Sequence, residues 1–360
     1  MGGNIFDHNS DIKIRRLTPI EYEKVKSDVL ELLRPYCQAF KVPQHIQSKE
    51  SFGDVDVLYV LDESQIKFKD FLTHMETSLN SLEKIGINTS YNYSFHYNLD
   101  GLEAQIDLIH YNTLEELNFA NFYMSHSDFG SILGQICSCQ GLTISDTRLY
   151  IKVFYDDNPA KILGTIDLAS TPEEVCEYFG LNHDVLKSQF LSEHEFFDFM
   201  SSAPNFNPNF FAFRESFNCT HRKRATKRPV YIRFMEFVAD KFKENSCQFE
   251  TIESFKQKRA QNKESAAKQF KKYKEYCEFQ SDYEKAQIVK VKFNGNVVKQ
   301  IIPEFFVKMR EKKTNGKFLG EFMDIVREEI SADEFLVIRD DDLKLKILEL
   351  YAIFSKTVDW

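Results

Sequence analysis

Three aspartates carry the chemistry for which this sequence is best equipped. Asp54 and Asp56 lie in the run Gly53-Asp54-Val55-Asp56-Val57-Leu58-Tyr59-Val60, where the residues from Val55 to Val60 are β-branched or apolar apart from Asp56. The glycine before them marks a turn entering a buried strand. Strand side chains alternate faces, so Asp54 and Asp56 point the same way, roughly 6.6 Å apart along the chain. Two unpaired carboxylates on an apolar strand repel each other and resist burial, a conflict that a divalent cation removes. Taken alone, an Asp-x-Asp pair reads more readily as two acids capping a turn in water. A second stretch shifts the balance. Ser94 to Ile109 is two strand-like runs joined by Asp100-Gly101, a strong hairpin signal, and the returning run places Asp107 between Ile106 and Leu108. With this strand beside the first, about 4.8 Å away, Asp107 joins the other two acids on one face. Three converging carboxylates make a site for two Mg²⁺ ions about 3.5–4 Å apart, an arrangement used for in-line phosphoryl or nucleotidyl displacement.

The elements that must position these acids can be read from capping signals and periodicity. Thr18-Pro19-Ile20-Glu21 is a helix start with a capping threonine and a proline at the first helical position, and Ile20, Val25, Val29, Leu32 and Leu33 recur at helical spacing up to Pro35. Phe40 to Ile46, interrupted by Pro43, predicts a short edge strand. Phe68, Phe71, Leu72, Met75, Leu79 and Leu82 place an apolar stripe on a helix ended by Gly86. The order helix, strand, strand, helix, hairpin predicts a mixed sheet with helices packed on one face. Leu114 to Cys139 reads as two helices, with Ser127 or Asp128 capping the second and Gly130 and Gly134 allowing close packing.

Leu149 to Phe154 and Ile162 to Leu168 predict two strands about a turn at Asp156-Asp157-Asn158-Pro159. A capping box from Ser170 to Glu174 opens a helix that Gly180 closes, and Phe190 to Phe199 is a further amphipathic helix. The tail predicts a strand at Ile288 to Phe293, a turn at Asn294-Gly295, another short strand, and helices around Phe305 and Phe322. The whole reads as α+β, in three parts: 1–170 with the mixed sheet and its packed helices, a mainly helical 171–287, and a small α+β module over 288–360.

Composition bounds the classes of function. The chain of 360 residues is 42% hydrophobic and 28% charged, which fits a soluble globular protein and excludes a disordered one. A formal charge of −9 argues against a general nucleic-acid coat. Two local runs go against that balance. Arg214 to Arg228 holds six Lys or Arg against one Glu, among them Arg222, Lys223, Arg224, Lys227 and Arg228, and Lys256 to Lys274 holds eight against one, mixed with Phe255, Phe270 and Tyr273. Such runs either solvate a helix face or form a groove in which cations neutralise phosphates and aromatics stack on bases. The seven cysteines contain no Cys-x-x-Cys pair, which predicts free thiols in a reducing cytoplasm. No leader, lipid anchor or membrane span is expected, since Phe6 occupies the Ser/Thr position of the myristoylation pattern and no apolar run approaches about 20 residues.

Gly53-Asp54-x-Asp56 followed by a lone Asp107 on a later hairpin strand resembles the catalytic signature of the polymerase-β-like nucleotidyltransferase superfamily. More narrowly, Met1-Gly2-Gly3-Asn4, the run from Phe52 to Leu58, Gln105 to Ile109, and Gly130, Gly134 and Gly141-Leu142 resemble viral and phage-type nucleotidyltransferase-like proteins. The resemblance implies a nucleotidyltransferase-type sheet and an Mg²⁺-dependent enzyme, with Mn²⁺ as an alternative ion. Its activity would be transfer of a nucleoside monophosphate from an NTP such as ATP to an acceptor hydroxyl, in the cytoplasm, that of a virus- or phage-infected host cell included. By that resemblance Asp54 and Asp56 hold both metals, and Asp107 completes the site and orients or deprotonates the attacking hydroxyl. Ser48, Lys49, Ser51 and Gly53 are the candidate triphosphate contacts. The superfamily's upstream Gly-Ser is replaced here, Ser48 being preceded by Gln47. RNA 3′ ends, including tRNA, are the favoured acceptor, through Arg222, Lys223, Arg224, Lys227 and Arg228. A small-molecule or protein acceptor, synthesis of an oligonucleotide signal, and an inactive nucleotide-binding interaction module are the alternatives.

Overall fold

The computed structural model describes residues 4–87, 91–155, 158–204, 206–212, 219–243, 292–312 and 316–358, with isolated residues between 257 and 289. The chain forms two units, Met1–Lys272 and Tyr273–Trp360. The fold is α+β. In the first unit a five-stranded sheet runs in the order β1 (Cys37–Lys41), β2 (Asp54–Leu61), β5 (Leu102–His110), β4 (Tyr93–Leu99), β3 (Lys84–Gly86). Neighbours are antiparallel except β2 and β5, which run parallel. A smaller antiparallel sheet follows, made of β6 (Thr143–Ile144), β7 (Leu149–Tyr155) and β8 (Asn158–Ala169).

Alternation along β2 explains how the main sheet can carry acids at all. Val55, Val57, Tyr59 and Leu61 form one core with α1 (Pro19–Leu33) and α2 (Phe68–Ser78), joined by Phe95, Ile106 and Leu108 from the neighbouring strands. On the opposite face Leu58 and Val60 pack with Leu117 and Ala120 of α3 (Leu114–Met124). That helix covers only the far end of the face, which leaves Asp54 and Asp56 at the near end partly exposed. The remaining helices of the unit are α4 (Phe129–Cys139), α5 (Pro172–Phe179), α6 (His183–Lys187), α7 (Glu193–Ser201), α8 (Asn209–Ala212), α9 (Cys219–Lys227) and α10 (Pro229–Lys241).

Several elements depart from the sequence reading. The capping box at Thr18 and Glu21 forms, but Ile20 is exposed and Tyr22 takes the buried position on α1. The first strand ends at Lys41, before Pro43, because that proline cannot donate to a ladder. The helix α2 ends at Ser78, Leu82 is exposed, and Gly86 sits on β3 instead of closing a helix. The helix expected from Phe190 starts at Glu193, where Ser192 accepts a hydrogen bond from the Glu195 amide.

The second unit is helical throughout its described residues: α11 (Gly295–Ile301), α12 (Pro303–Lys312), α13 (Lys317–Glu329), α14 (Ala332–Val337) and α15 (Asp340–Thr357) enclose a core that includes Phe293, Phe305, Phe322, Ile347 and Phe354. The strand expected at Ile288 to Phe293 is absent where the chain is described, since Val289 and Lys292 are helical. Asn294 is the reason the Asn-Gly pair makes no hairpin. Its Oδ1 accepts from the amides of Asn296 at 3.0 Å and Val297 at 3.2 Å, which starts a helix. Met1 to Gly3, the turn residues Asp156 and Asp157, and nearly all of the basic run from Lys256 to Lys274 lie outside the described residues.

Gly130 and Gly134 separate clearly. A Cβ at Gly130 would sit 2.5 Å from the Tyr123 carbonyl oxygen, whereas at Gly134 it would meet nothing closer than Arg224 at 3.5 Å. Gly130→Ala is therefore expected to cost about 1–3 kcal/mol, as overpacking does, and Gly134→Ala to leave stability nearly unchanged. Thermal unfolding of the two variants checks this; equal midpoints would refute the close packing of α3 on α4.

Candidate metal centre

The register of three strands assembles the acids. Asp56 pairs with Asp107 across the parallel β2 and β5, and Asp107 pairs with Ser94 across the hairpin of β4 and β5. Asp54 pairs with Gln105 two residues away on the same face. Each of Asp54, Asp56 and Asp107 offers a ligand atom within 4.8 Å of the others, and this is the one such group of three among the described residues.

Asp107 is held from two sides. Ser94 Oγ donates to its Oδ1 at 2.5 Å, and Gln105 Nε2 donates to Oδ1 at 2.9 Å and Oδ2 at 3.1 Å. The Ile5 amide in turn donates to Gln105 Oε1 at 3.3 Å, which fixes that amide's orientation. The sequence reading names Ser94 and Gln105 as strand residues and gives them no role at the site, yet a signal for Ser94 exists. A two-residue turn at Asp100-Gly101 pairs Leu99 with Leu102, and counting back places Ser94 opposite Asp107.

Electrostatics set the demand for a cation. Burial, and then repulsion from Asp54 and Asp107, raises the Asp56 carboxyl well above the usual carboxylate range; the charges of Lys49 and Arg228 only partly offset this. Burial pushes Asp107 up to about 6 against the pull of its Ser94 and Gln105 donors. Three carboxylates packed this closely, two of them reluctant to ionise, could hold a metal ion, and oxygen-only donors favour a hard cation over a soft one.

The expected phosphate contacts fall into different places. Lys49 Nζ lies 4.5 Å above the Phe52 ring, against which Tyr22 stacks at 4.0 Å and His45 packs edge-on at 4.7 Å. Burial lowers the Lys49 ammonium, while the charges of Asp54, Asp56 and Asp128 support it. Ser51 is engaged elsewhere: its Oγ accepts from Arg16 Nε at 2.9 Å. Ser48 is exposed, and its amide donates to the Leu191 carbonyl at 3.2 Å. Gly53 is buried at the bend entering β2.

The first basic cluster divides. Arg222, Lys223 and Lys227 are exposed on α9. Arg224 turns inward to hydrogen-bond with Tyr123. Arg228, at the junction of α9 and α10, donates from Nη1 to Asp128 Oδ1 at 2.8 Å. Asp128 stands at the N-cap of α4, as the sequence suggested, but its side chain makes no capping bond. Nothing in the sequence pairs it with Arg228, because the two are 100 residues apart.

No protein-family model matches the sequence, and comparison with curated proteins finds no match. Among the described residues no helix is long and apolar enough to cross a membrane.

Proposed function

We propose that this protein is an Mg²⁺-dependent nucleotidyltransferase that moves a nucleoside monophosphate from an NTP to an acceptor hydroxyl. The observation that carries this reading is the convergence of Asp54, Asp56 and Asp107 within 4.8 Å on two directly paired strands. Asp54, Asp56 and Asp107 would hold the ions, which would supply neutralisation of the phosphates and a lowered pKa for the attacking hydroxyl. Asp107, fixed by Ser94 and Gln105, would orient that hydroxyl and accept its proton. The acceptor oxygen bonds to the α-phosphorus while the bond to the bridging oxygen breaks, and pyrophosphate leaves. Lys49, whose charge Asp54 and Asp56 support, would be a contact for phosphate charge.

RNA is the favoured acceptor, because Arg222, Lys223 and Lys227 present exposed charge on α9 of an otherwise acidic chain. The internal contacts of Arg224 and Arg228 favour, as the second reading, a small-molecule or protein acceptor, since two of the five expected cations are engaged within the protein. Incubating the protein with each labelled NTP, Mg²⁺ and a total RNA pool separates the two. Labelled RNA is expected. Pyrophosphate release without labelled RNA would select the second reading, and neither product would overturn both.

A further inference from the structure

Asp128 and Arg228 form an ion pair whose setting is unlike that of an ordinary surface bridge. The Asp128 side chain is 7% exposed, and it forgoes the capping bonds available at the start of α4 in favour of the guanidinium. The two residues before it, His126 at φ 55° and Ser127 at φ 62°, are both in the left-handed region that non-glycine residues rarely adopt. Such strain persists only where the surroundings over-determine it. Here the His126 amide donates to the Gln44 carbonyl at 2.6 Å and its Nε2 donates to the Leu186 carbonyl at 2.9 Å. Ser125 Oγ accepts from the Gln44 amide at 3.0 Å. These bonds fasten the loop that presents Asp128 to the segment leading into Lys49.

The charges around the acids then form a pattern. Lys49 feels Asp54, Asp56 and Asp128, while the field of Arg228 reaches Asp56. A guanidinium has five N–H donors, and the bond to Asp128 leaves most of that fork available on a side chain that is 54% exposed. Asp128 follows α3, the helix that packs against Leu58 and Val60 on the same face of β2 as Asp54 and Asp56, and it holds the Arg228 guanidinium at 2.8 Å. Asp128 is thus an acceptor that competes with the acids for this cation.

We propose that Arg228 binds the polyphosphate of the nucleotide, and that Asp128 is its positioning residue, holding the guanidinium off the acid cluster until phosphate takes it. The inference rests on the nucleotidyltransferase reading and names the residue that supplies phosphate binding where the upstream Gly-Ser is missing. A fork matched to phosphate oxygens makes arginine the appropriate cation.

The test is calorimetric titration of the full chain with tripolyphosphate, a non-hydrolysable ATP analogue and AMP in excess Mg²⁺, and separately with Mg²⁺ alone. Arg228→Gln is expected to lose roughly ten- to a hundredfold in affinity for tripolyphosphate and the ATP analogue, with AMP affinity unchanged. Arg228→Lys, which keeps the charge without the fork, recovers part of that loss and carries the measurement should the glutamine variant fail to fold. Asp128→Asn is expected to weaken Mg²⁺ binding severalfold, because the released Arg228 pairs with the acids, and adding Arg228→Gln restores it. A bridge with a merely structural role would lower the melting temperature of each variant and leave all these affinities alone, which would overturn the proposal. Loss of RNA affinity in place of nucleotide affinity would overturn it as well. Wild-type protein that binds neither the ATP analogue nor tripolyphosphate would instead sink the nucleotidyltransferase reading itself.

Discussion

Asp56→Ala is expected to reduce the proposed nucleotidyl transfer by about a thousandfold or more, to the background of the assay, and Asp54→Ala and Asp107→Ala to do the same. The size follows from the arrangement. Each acid offers a ligand atom within 4.8 Å of the other two, so removing one leaves too few anionic oxygens to hold two divalent ions. The fold should survive, because the apolar face of the same strands carries the main core through Val55, Val57, Ile106 and Leu108, while the acids occupy the partly exposed end of the other face. Circular dichroism and a transfer assay on each variant check both halves of the expectation. Wild-type turnover by the double variant Asp54→Ala/Asp56→Ala would end the metal-dependent reading.

How much of this could be read from the sequence depends on the range of the interaction. Period-two alternation around Asp54, Asp56 and Asp107 and the Asp100-Gly101 turn are local signals, and they located the acids and the hairpin that carries the third. The parallel pairing of β2 with β5 sets Asp56 against Asp107, and it agrees with the expectation that the two strands are neighbours. Boundaries were less legible. The helix start at Asn294 turned on a local side-chain cap that competes with the hairpin signal, whereas Gly86 is drawn into β3 by its pairing with Tyr93 on β4. The basic cluster shows a further limit. Charge density along the chain is the same for Arg222 and Arg228, but only the fold reveals that Arg228 meets Asp128 and Arg224 meets Tyr123. A substitution of Arg222, Arg224 and Arg228 together would thus mix an exposed charge with two internal contacts.

The metal-free protein is expected to lose stability as pH rises through the range in which Asp107 ionises. Its carboxyl is held at about 6 by burial, above its ordinary value of 3.8. Between those values the folded state binds more protons than the unfolded one, so the free energy of unfolding falls with rising pH, and the full penalty is present above about pH 6. A shift of this size is worth no more than about 3 kcal/mol. Asp56, raised further by its two acidic neighbours, acts in the same direction. Other groups oppose them: burial lowers His45, His110 and His126, which favours the folded state as pH rises toward 6.5. Glu21, held down to about 2 by Arg15, matters only at more acidic pH.

The informative quantity is therefore the difference between wild type and Asp107→Asn, measured by denaturant unfolding in chelator across pH 4–7. The asparagine places a donor against the Gln105 amide, but that cost is constant with pH and leaves the slope intact. Wild type should lose ground to the variant from about pH 4 to pH 6, and further above that as Asp56, which the Asp107 charge also raises, ionises. Adding Mg²⁺ at pH 7 should reverse the loss in wild type, because a ligand that binds only the folded state stabilises it, and should do nothing for Asp54→Ala/Asp56→Ala. A pH-independent difference, or equal stabilisation of both proteins by Mg²⁺, would mean that the three carboxylates do not act as one charged cluster and that metal binds elsewhere.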